Sequence, residues 1–268
     1  MYFISDYIKK KNNNGEKALS IFLTSGFPSK NNFTQLALEI LDAGADMLEI
    51  GFPFSDPLAD GPTIQHSSQV ALENGINLKT TFNYVKEIRA KTDKPIILMG
   101  YANPVLSYGV DNFAKDAKSV GVNGVIIPDV PIDEYYNFFN GSFDGLEKIL
   151  LVTPTTSEER IKKIDELSEG FVYYVSMTGT TGKQVSHSKE IIEPLKKASS
   201  LIKKNKMLIG FGISSSDDVK TFSPYCSGVI VGSAVIKSLM EDDKNNSYTL
   251  NLVSELKKAL TIKAPLSV

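Results

Sequence analysis

Three acids within one short stretch, Glu49, Asp56 and Asp60, are the side chains best placed by type and spacing to do chemistry. Glu49 lies near the end of an apolar run, Met47 to Ile50, that reads as a buried strand. A charge there is costly unless it is paired or used. The Gly/Pro-rich loop that follows carries Asp56 and Asp60, and Pro62 then opens a helix. Two carboxylates in a partly dry pocket can hold different pKa values and so divide acid and base work. Each acid also has a structural reading, satisfied by backbone N–H groups; for Glu49 the functional one is favoured, because a barrel interior leaves few other uses for a charge.

A second group lies late in the chain. Gly210-Phe211-Gly212-Ile213-Ser214 and Gly232-Ser233 each follow an apolar run and precede a helix start. Such glycines can be tight turns. They also expose backbone N–H groups beside a positive helix end, which suits a phosphate. Two such loops after consecutive late strands favour the phosphate reading. Thr178 to Gly182 is small, polar and double-glycine, and reads equally as a mobile lid or an ordinary surface loop. Tyr101, Asn103, Asp129 and Ser176 also fall just past strand ends, with Asp129 as readily a helix cap as a site residue. His66 and His187 are isolated, no acid cluster has metal spacing, and no serine lies in a nucleophile elbow.

The elements that must position these groups follow a βα rhythm. Apolar runs at 18–24, 47–50, 96–99, 124–127, 148–152, 171–175, 206–210 and 228–231 read as strands. Helices are expected at 2–11, 32–43, 63–74, 78–91, 110–120, 133–139 and 249–260, and another begins after Ser157, an N-cap residue. Near-continuous apolar strands alternating with helices predict a parallel sheet covered on both faces. Eight such units make an α/β (β/α)8 TIM barrel, here with an extra N-terminal helix. An open doubly wound sheet needs a glycine-rich fingerprint after the first strand, and Ser25-Gly26-Phe27-Pro28 is not one. No linker divides the chain, so residues 1–268 are expected to form a single barrel domain.

The totals agree with this picture. The 268 residues suit one barrel, and 42% hydrophobic with 22% charged residues is an ordinary globular balance. A net charge of −2 leaves no basic footprint for nucleic acid. The lone cysteine, Cys226, excludes an intramolecular disulfide and a cysteine metal cluster. Without a signal-peptide pattern or a long apolar run, a cytoplasmic location is expected.

The unbroken run from Leu48 to Pro62, L-E-I-G-F-P-F-S-D-P-L-A-D-G-P, closely resembles the signature of the tryptophan synthase α-subunit family. The resemblance extends to Met99–Pro104, Pro128–Pro131, Gly179–Gly182, Gly210–Ser214 and Gly232–Ala234, and so covers nearly the whole chain. It implies a lyase that cleaves indole-3-glycerol phosphate to indole and glyceraldehyde 3-phosphate. By motif position, Glu49 matches the family's general acid/base and Asp60 the acid that accepts the indole N–H. Phe22, Tyr173 and Phe211 would line the indole pocket. Gly182, Gly212, Ile213, Gly232 and Ser233 would hold the phosphate, and Thr181 would close the lid. The resemblance also implies an α-β-β-α heterotetramer, in which a β subunit uses its own pyridoxal phosphate to join indole to serine. This chain would carry no cofactor. Asp56, Pro57, Asn103 and Pro131 match surfaces that face the β subunit. A free-standing lyase and a non-catalytic regulatory barrel remain as alternatives. One departure is Met177, where many bacterial members carry an arginine, which removes the cation that a lid salt bridge from that position needs.

Overall fold

The computed structural model describes residues 3–176, 189–210, 212–241 and 245–261. Nine strands are present: β1 (Ala18–Thr24), β2 (Met47–Gly51), β3 (Ile96–Met99), β4 (Gly124–Ile126), β5 (Glu147–Lys148), β6 (Leu150–Val152), β7 (Phe171–Val175), β8 (Lys206–Gly210) and β9 (Gly228–Val231). They form one sheet in the order β5-β4-β3-β2-β1-β9-β8-β7-β6, and every pairing is parallel.

The two ends of that order, β5 and β6, are separated only by Ile149, whose N–H donates to the Val125 carbonyl at 3.0 Å. They are the two halves of the single strand expected over 148–152. The first half pairs with β4 and the second with β7. Because both ends of the sheet belong to one short segment, the sheet closes on itself, and the nine observed strands are the eight of a barrel.

Alternation along the strands gives two apolar layers. Met47, Ile97, Ile126, Ile149, Phe171, Tyr173, Leu208 and Ile230 pack together inside the barrel. Leu48, Ile50, Leu98, Val125, Val172, Ile209 and Val229 pack outward against the helices. Fully burying one such aliphatic side chain contributes about 1.5–3 kcal/mol, so each register is strongly specified on both faces.

The helical layer comprises α1 (Phe3–Asn13), α2 (Phe33–Asp42), α3 (Pro62–Glu73), α4 (Leu78–Arg89), α5 (Ala102–Tyr108), α6 (Val110–Ser119), α7 (Tyr135–Phe138), α8 (Glu158–Leu167), α9 (Lys189–Leu201), α10 (Ser216–Phe222), α11 (Ser233–Glu241) and α12 (Ser247–Ala259). The expected cap holds: the Ser157 hydroxyl accepts the Arg160 N–H at 3.3 Å. Two elements differ from expectation. The segment 133–139 is a 3-10 turn followed by the single turn of α7. Residues 102–108 form a helix despite Pro104, because a proline in the first turn removes an N–H that has no intrahelical partner.

The N-terminal helix plugs the barrel at the end where the strands begin. Ile4 and Ile8 of α1 join the inner layer, and the buried Glu147 carboxylate accepts the N–H of Ile4 at 2.7 Å. At the other end of α1, Lys11 meets the buried Asp46 carboxylate at 2.9 Å. Asp46 also accepts from Lys257 of α12 at 2.7 Å and from the Leu19 N–H at 2.9 Å. The first and last helices are thereby fastened to the same edge of the sheet.

Candidate active site

The opposite end of the barrel, where the strands finish, carries the cavity. On the inward faces of β1 and β2, Phe22 stands in register with Glu49. Gly51 follows Glu49, and a Cβ there would meet the Phe22 ring at 2.5 Å. The glycine is thus needed for the ring to lie across the mouth.

Glu49 has no exposed surface. Its Oε1 accepts the Ser20 hydroxyl at 2.7 Å, and its Oε2 has no hydrogen-bond partner among the described residues. Burial pushes its pKa up to about 8, with the Ser20 hydrogen bond acting in the opposite direction. At neutral pH the unliganded site therefore holds a neutral carboxylic acid, a proton donor.

Asp60 is half-buried in the loop between β2 and α3. Burial raises its pKa to about 6, opposed by a hydrogen bond from the Tyr101 hydroxyl. That hydroxyl also accepts the Ala59 N–H at 3.0 Å, and the Gln65 amide donates to the Asp60 carbonyl at 2.8 Å. At neutral pH Asp60 is a carboxylate held by its own loop. The two acids therefore differ in protonation state for a physical reason: Glu49 is wholly inside the sheet, while Asp60 keeps some contact with water.

Beside Asp60 lies a cavity of about 280 Å³, lined also by Phe22, Ile64, Met99, Tyr173, Gly212, Ile213, Gly232, Ser233 and Lys237, among others; Glu49 reaches it only through its neighbours Phe22 and Tyr173. Phe22, Met99 and Tyr173 make an apolar slot of the size and character that holds a flat ring. The Tyr173 hydroxyl fits only because position 210 is glycine; a Cβ there would lie 2.2 Å from it. Burial, reinforced by the charge of Asp60 and by that of Glu49 once it ionises, keeps this phenol protonated.

The far end of the cavity is polar, and its two helix starts are not equivalent. At α10 the Asp218 carboxylate already accepts the N–H groups of Ser214 and Ser215, both at 2.9 Å, in a capping box. The first turn of α11 carries no acidic residue. Its positive dipole end meets the cavity at Ser233 and Ala234, with Lys237 one turn further on, 3.8 Å from Glu241, and suits an anion.

Of the residues expected from sequence, Phe22, Asp60, Tyr173, Gly212, Ile213, Gly232 and Ser233 line this one cavity, and Glu49 lies in register with Phe22. Thr181, Gly182 and Phe211, with Met177 and the 178–182 loop, lie outside the described residues. Asp56, Asn103 and Pro131 are exposed, whereas Pro57 is buried. Asp129 is a cap, accepting the Ala102 N–H at the start of α5 at 2.9 Å. His66 is exposed on α3. Sequence reasoning missed Ser20, Ile64, Met99 and Lys237. Ser20 is a polar inward position on β1 whose role shows only once its facing residue is known, whereas Lys237 was findable as the side chain four residues past Ser233 on one helix face.

The model of the family described as tryptophan synthase alpha chain matches residues 8–264. The chain belongs to the tryptophan synthase alpha chain family. The tryptophan synthase alpha chain of Flavobacterium psychrophilum is 44% identical over 237 residues, covering 88% of this chain and 94% of its own length. That of Petrotoga mobilis is 42% identical over 250 residues, covering 92% and 95%. Among solved structures, the tryptophan synthase alpha chain of Legionella pneumophila superposes with a TM-score of 0.88 at 32% identity, covering 97% of each chain. A tryptophan synthase structure from M. tuberculosis gives 0.86 at 30% identity, covering 97% of this chain and 98% of that one. As a member of that family, the protein is a lyase of tryptophan biosynthesis that catalyses the alpha reaction. Among its described residues no helix is long and apolar enough to cross a membrane.

Proposed function

We propose that Glu49 and Asp60 carry the alpha reaction on indole-3-glycerol phosphate, with the ring in the Phe22–Tyr173 slot and the phosphate at the start of α11. The neutral Glu49 carboxyl gives its proton to C3 of the indole. Positive charge then develops toward the ring nitrogen, where the Asp60 carboxylate accepts the N–H and stabilises it. Glu49, now a carboxylate, takes the proton of the glycerol hydroxyl as the bond between C3 and the side chain breaks. The bonding electrons return to the ring, leaving indole and the aldehyde glyceraldehyde 3-phosphate, with Glu49 reprotonated for the next cycle. Phe211 would add to the ring slot, and Thr181 and Gly182 to closure over the phosphate.

The observation that carries this reading is a pair of acids at one end of the barrel, Asp60 lining the cavity and ionised beside water, Glu49 held neutral by complete burial behind the cavity residue Phe22. Indole release from indole-3-glycerol phosphate tests it. Glu49→Gln should lower turnover by about 10²–10⁴-fold or more, the range of a lost acid/base group, and Asp60→Asn should also lower turnover while leaving substrate binding. Wild-type turnover in Glu49→Gln overturns the mechanism.

The chain works as a single barrel domain, residues 1–268, in the cytoplasm, delivering indole to a β subunit within an α-β-β-α heterotetramer. Pyridoxal phosphate is then the β subunit's cofactor. Support comes from the likeness to structures of tryptophan synthase itself. It also comes from a rim where Asp56 and Asn103 are exposed beside Leu58, 94% exposed, and Leu106, 57% exposed. Pro57 and Pro131 belong to the two loops of that rim.

A further inference from the structure

We infer that Ser20 is a positioning residue for the alpha reaction: by holding Oε1 of Glu49, it assigns the transferable proton to Oε2. This rests on the role given to Glu49 above. Ser20 is fully buried on the inward face of β1, between Ala18 and Phe22. It pairs in register with Met47, one inward step before Glu49, so its hydroxyl reaches diagonally across the β1–β2 ladder to the carboxyl. A buried hydroxyl in an apolar lumen is unfavourable without an acceptor, and the acceptor it has is Oε1, at 2.7 Å.

The consequence follows from the direction of that hydrogen bond. A neutral carboxyl has one carbonyl oxygen that accepts and one hydroxyl oxygen that donates. With the Ser20 O–H donated to Oε1, the serine hydroxyl has its acceptor and the acid proton falls to Oε2, the oxygen with no partner among the described residues. After proton transfer the same Ser20 O–H stays on the carboxylate and stabilises the charge it has acquired. Ser20 thus orients the acid in one state and supports the base in the other. The ionisable group coupled to Glu49 from another strand is Tyr173 on β7, which also feels Asp60. The β3 neighbours Ile97 and Met99 carry no charge, and among the described residues Ser20 is the group that hydrogen-bonds Glu49.

The test is the pH profile of indole release by the full chain, comparing wild type with Ser20→Ala, Ser20→Thr and Glu49→Gln. Loss of the donor makes the carboxylate less stable, so Glu49 keeps its proton to higher pH. The alkaline limb of kcat should move up by about one pH unit in Ser20→Ala. Turnover below that limb should fall by about ten-fold with little change in KM, and Ser20→Thr, which retains the hydroxyl, should restore both. A limb that stays in place in Ser20→Ala, or a defect that Thr does not correct, overturns the inference. Where Ala leaves a hole that unfolds the barrel, Ser20→Cys keeps the volume with a weak donor, and the same shift against Thr is required. Wild-type turnover in Glu49→Gln would instead overturn the role of Glu49 itself, so the two failures are distinguishable.

Discussion

Glu49 shows at the scale of one residue how a site can work against its fold. In the unfolded chain its carboxyl has the ordinary pKa of 4.5, and in the barrel about 8. Between these values the folded state holds a proton that the unfolded state has released. The contribution to stability is therefore complete below pH 4.5 and is lost as pH rises through 8. Glu49→Gln removes this loss while keeping an oxygen for Ser20. Denaturant midpoints measured from pH 5 to 8.5 should fall more steeply with pH for the wild type than for the variant. The gap should reach about 4 kcal/mol near pH 8. An inactive but more stable variant is the expected outcome; a variant with the same pH slope as the wild type would mean that Glu49 is not buried as described. Glu49 and Asp60 were legible in the sequence because charges at strand ends and in a Gly/Pro loop are conspicuous. Ser20 was not, since a serine inside a strand carries no such signal until the facing residue is known.

At the scale of elements, the contrast between α10 and α11 underlies the proposed phosphate position. Both follow late strands, and the glycine-rich sequence before each looks alike. Asp218 satisfies the start of α10 from within, whereas the first turn of α11 has no acid. Ser233→Asp would supply one. It should raise KM for indole-3-glycerol phosphate by at least ten-fold, because the carboxylate repels the phosphate and competes for its donors. The same change should leave the helix unharmed or stabilise it by about 0.3–1 kcal/mol, since an acid at a helix start is favourable. Steady-state kinetics and thermal unfolding measured together check the pair of opposite signs. An unchanged KM would place the phosphate elsewhere. The strands were read nearly residue for residue because each is a dense apolar run. The break at Ile149 was not, because it reflects two different neighbours pairing with the two halves of one strand.

At the scale of the molecule, closure is what joins residues as distant as Phe22, Asp60, Tyr173 and Ser233 around one cavity. The end where the strands begin is sealed by α1 and clamped by Asp46 with Lys11 and Lys257, leaving the other end free for substrate and partner. There the β2–α3 loop borders both the cavity and the outer surface. Asp60 faces the cavity, and two residues before it Leu58 is 94% exposed. An exposed leucine on a functional loop suits a docking anchor. Leu58→Asp should leave the indole release of the isolated chain close to wild type while abolishing its acceleration by a β subunit. Full acceleration in the variant would remove this loop from the interface.

The amino-acid sequence by itself determined the βα rhythm, the parallel barrel, the extra helix and the family. It also singled out the two acids and the glycine loops, since these depend on local apolar periodicity and on residue types that chain-local physics makes conspicuous. Only the tertiary structure decided that Glu49 is neutral and Asp60 charged, because desolvation is set by how completely the closed sheet excludes water from each. It alone placed Ser20 on Oε1, left α11 open while α10 is self-capped, and turned Asp129 into a cap for α5. Each of these rests on a distance across the barrel or between neighbouring loops, and such distances exist only once the fifth strand has joined the two ends of the sheet.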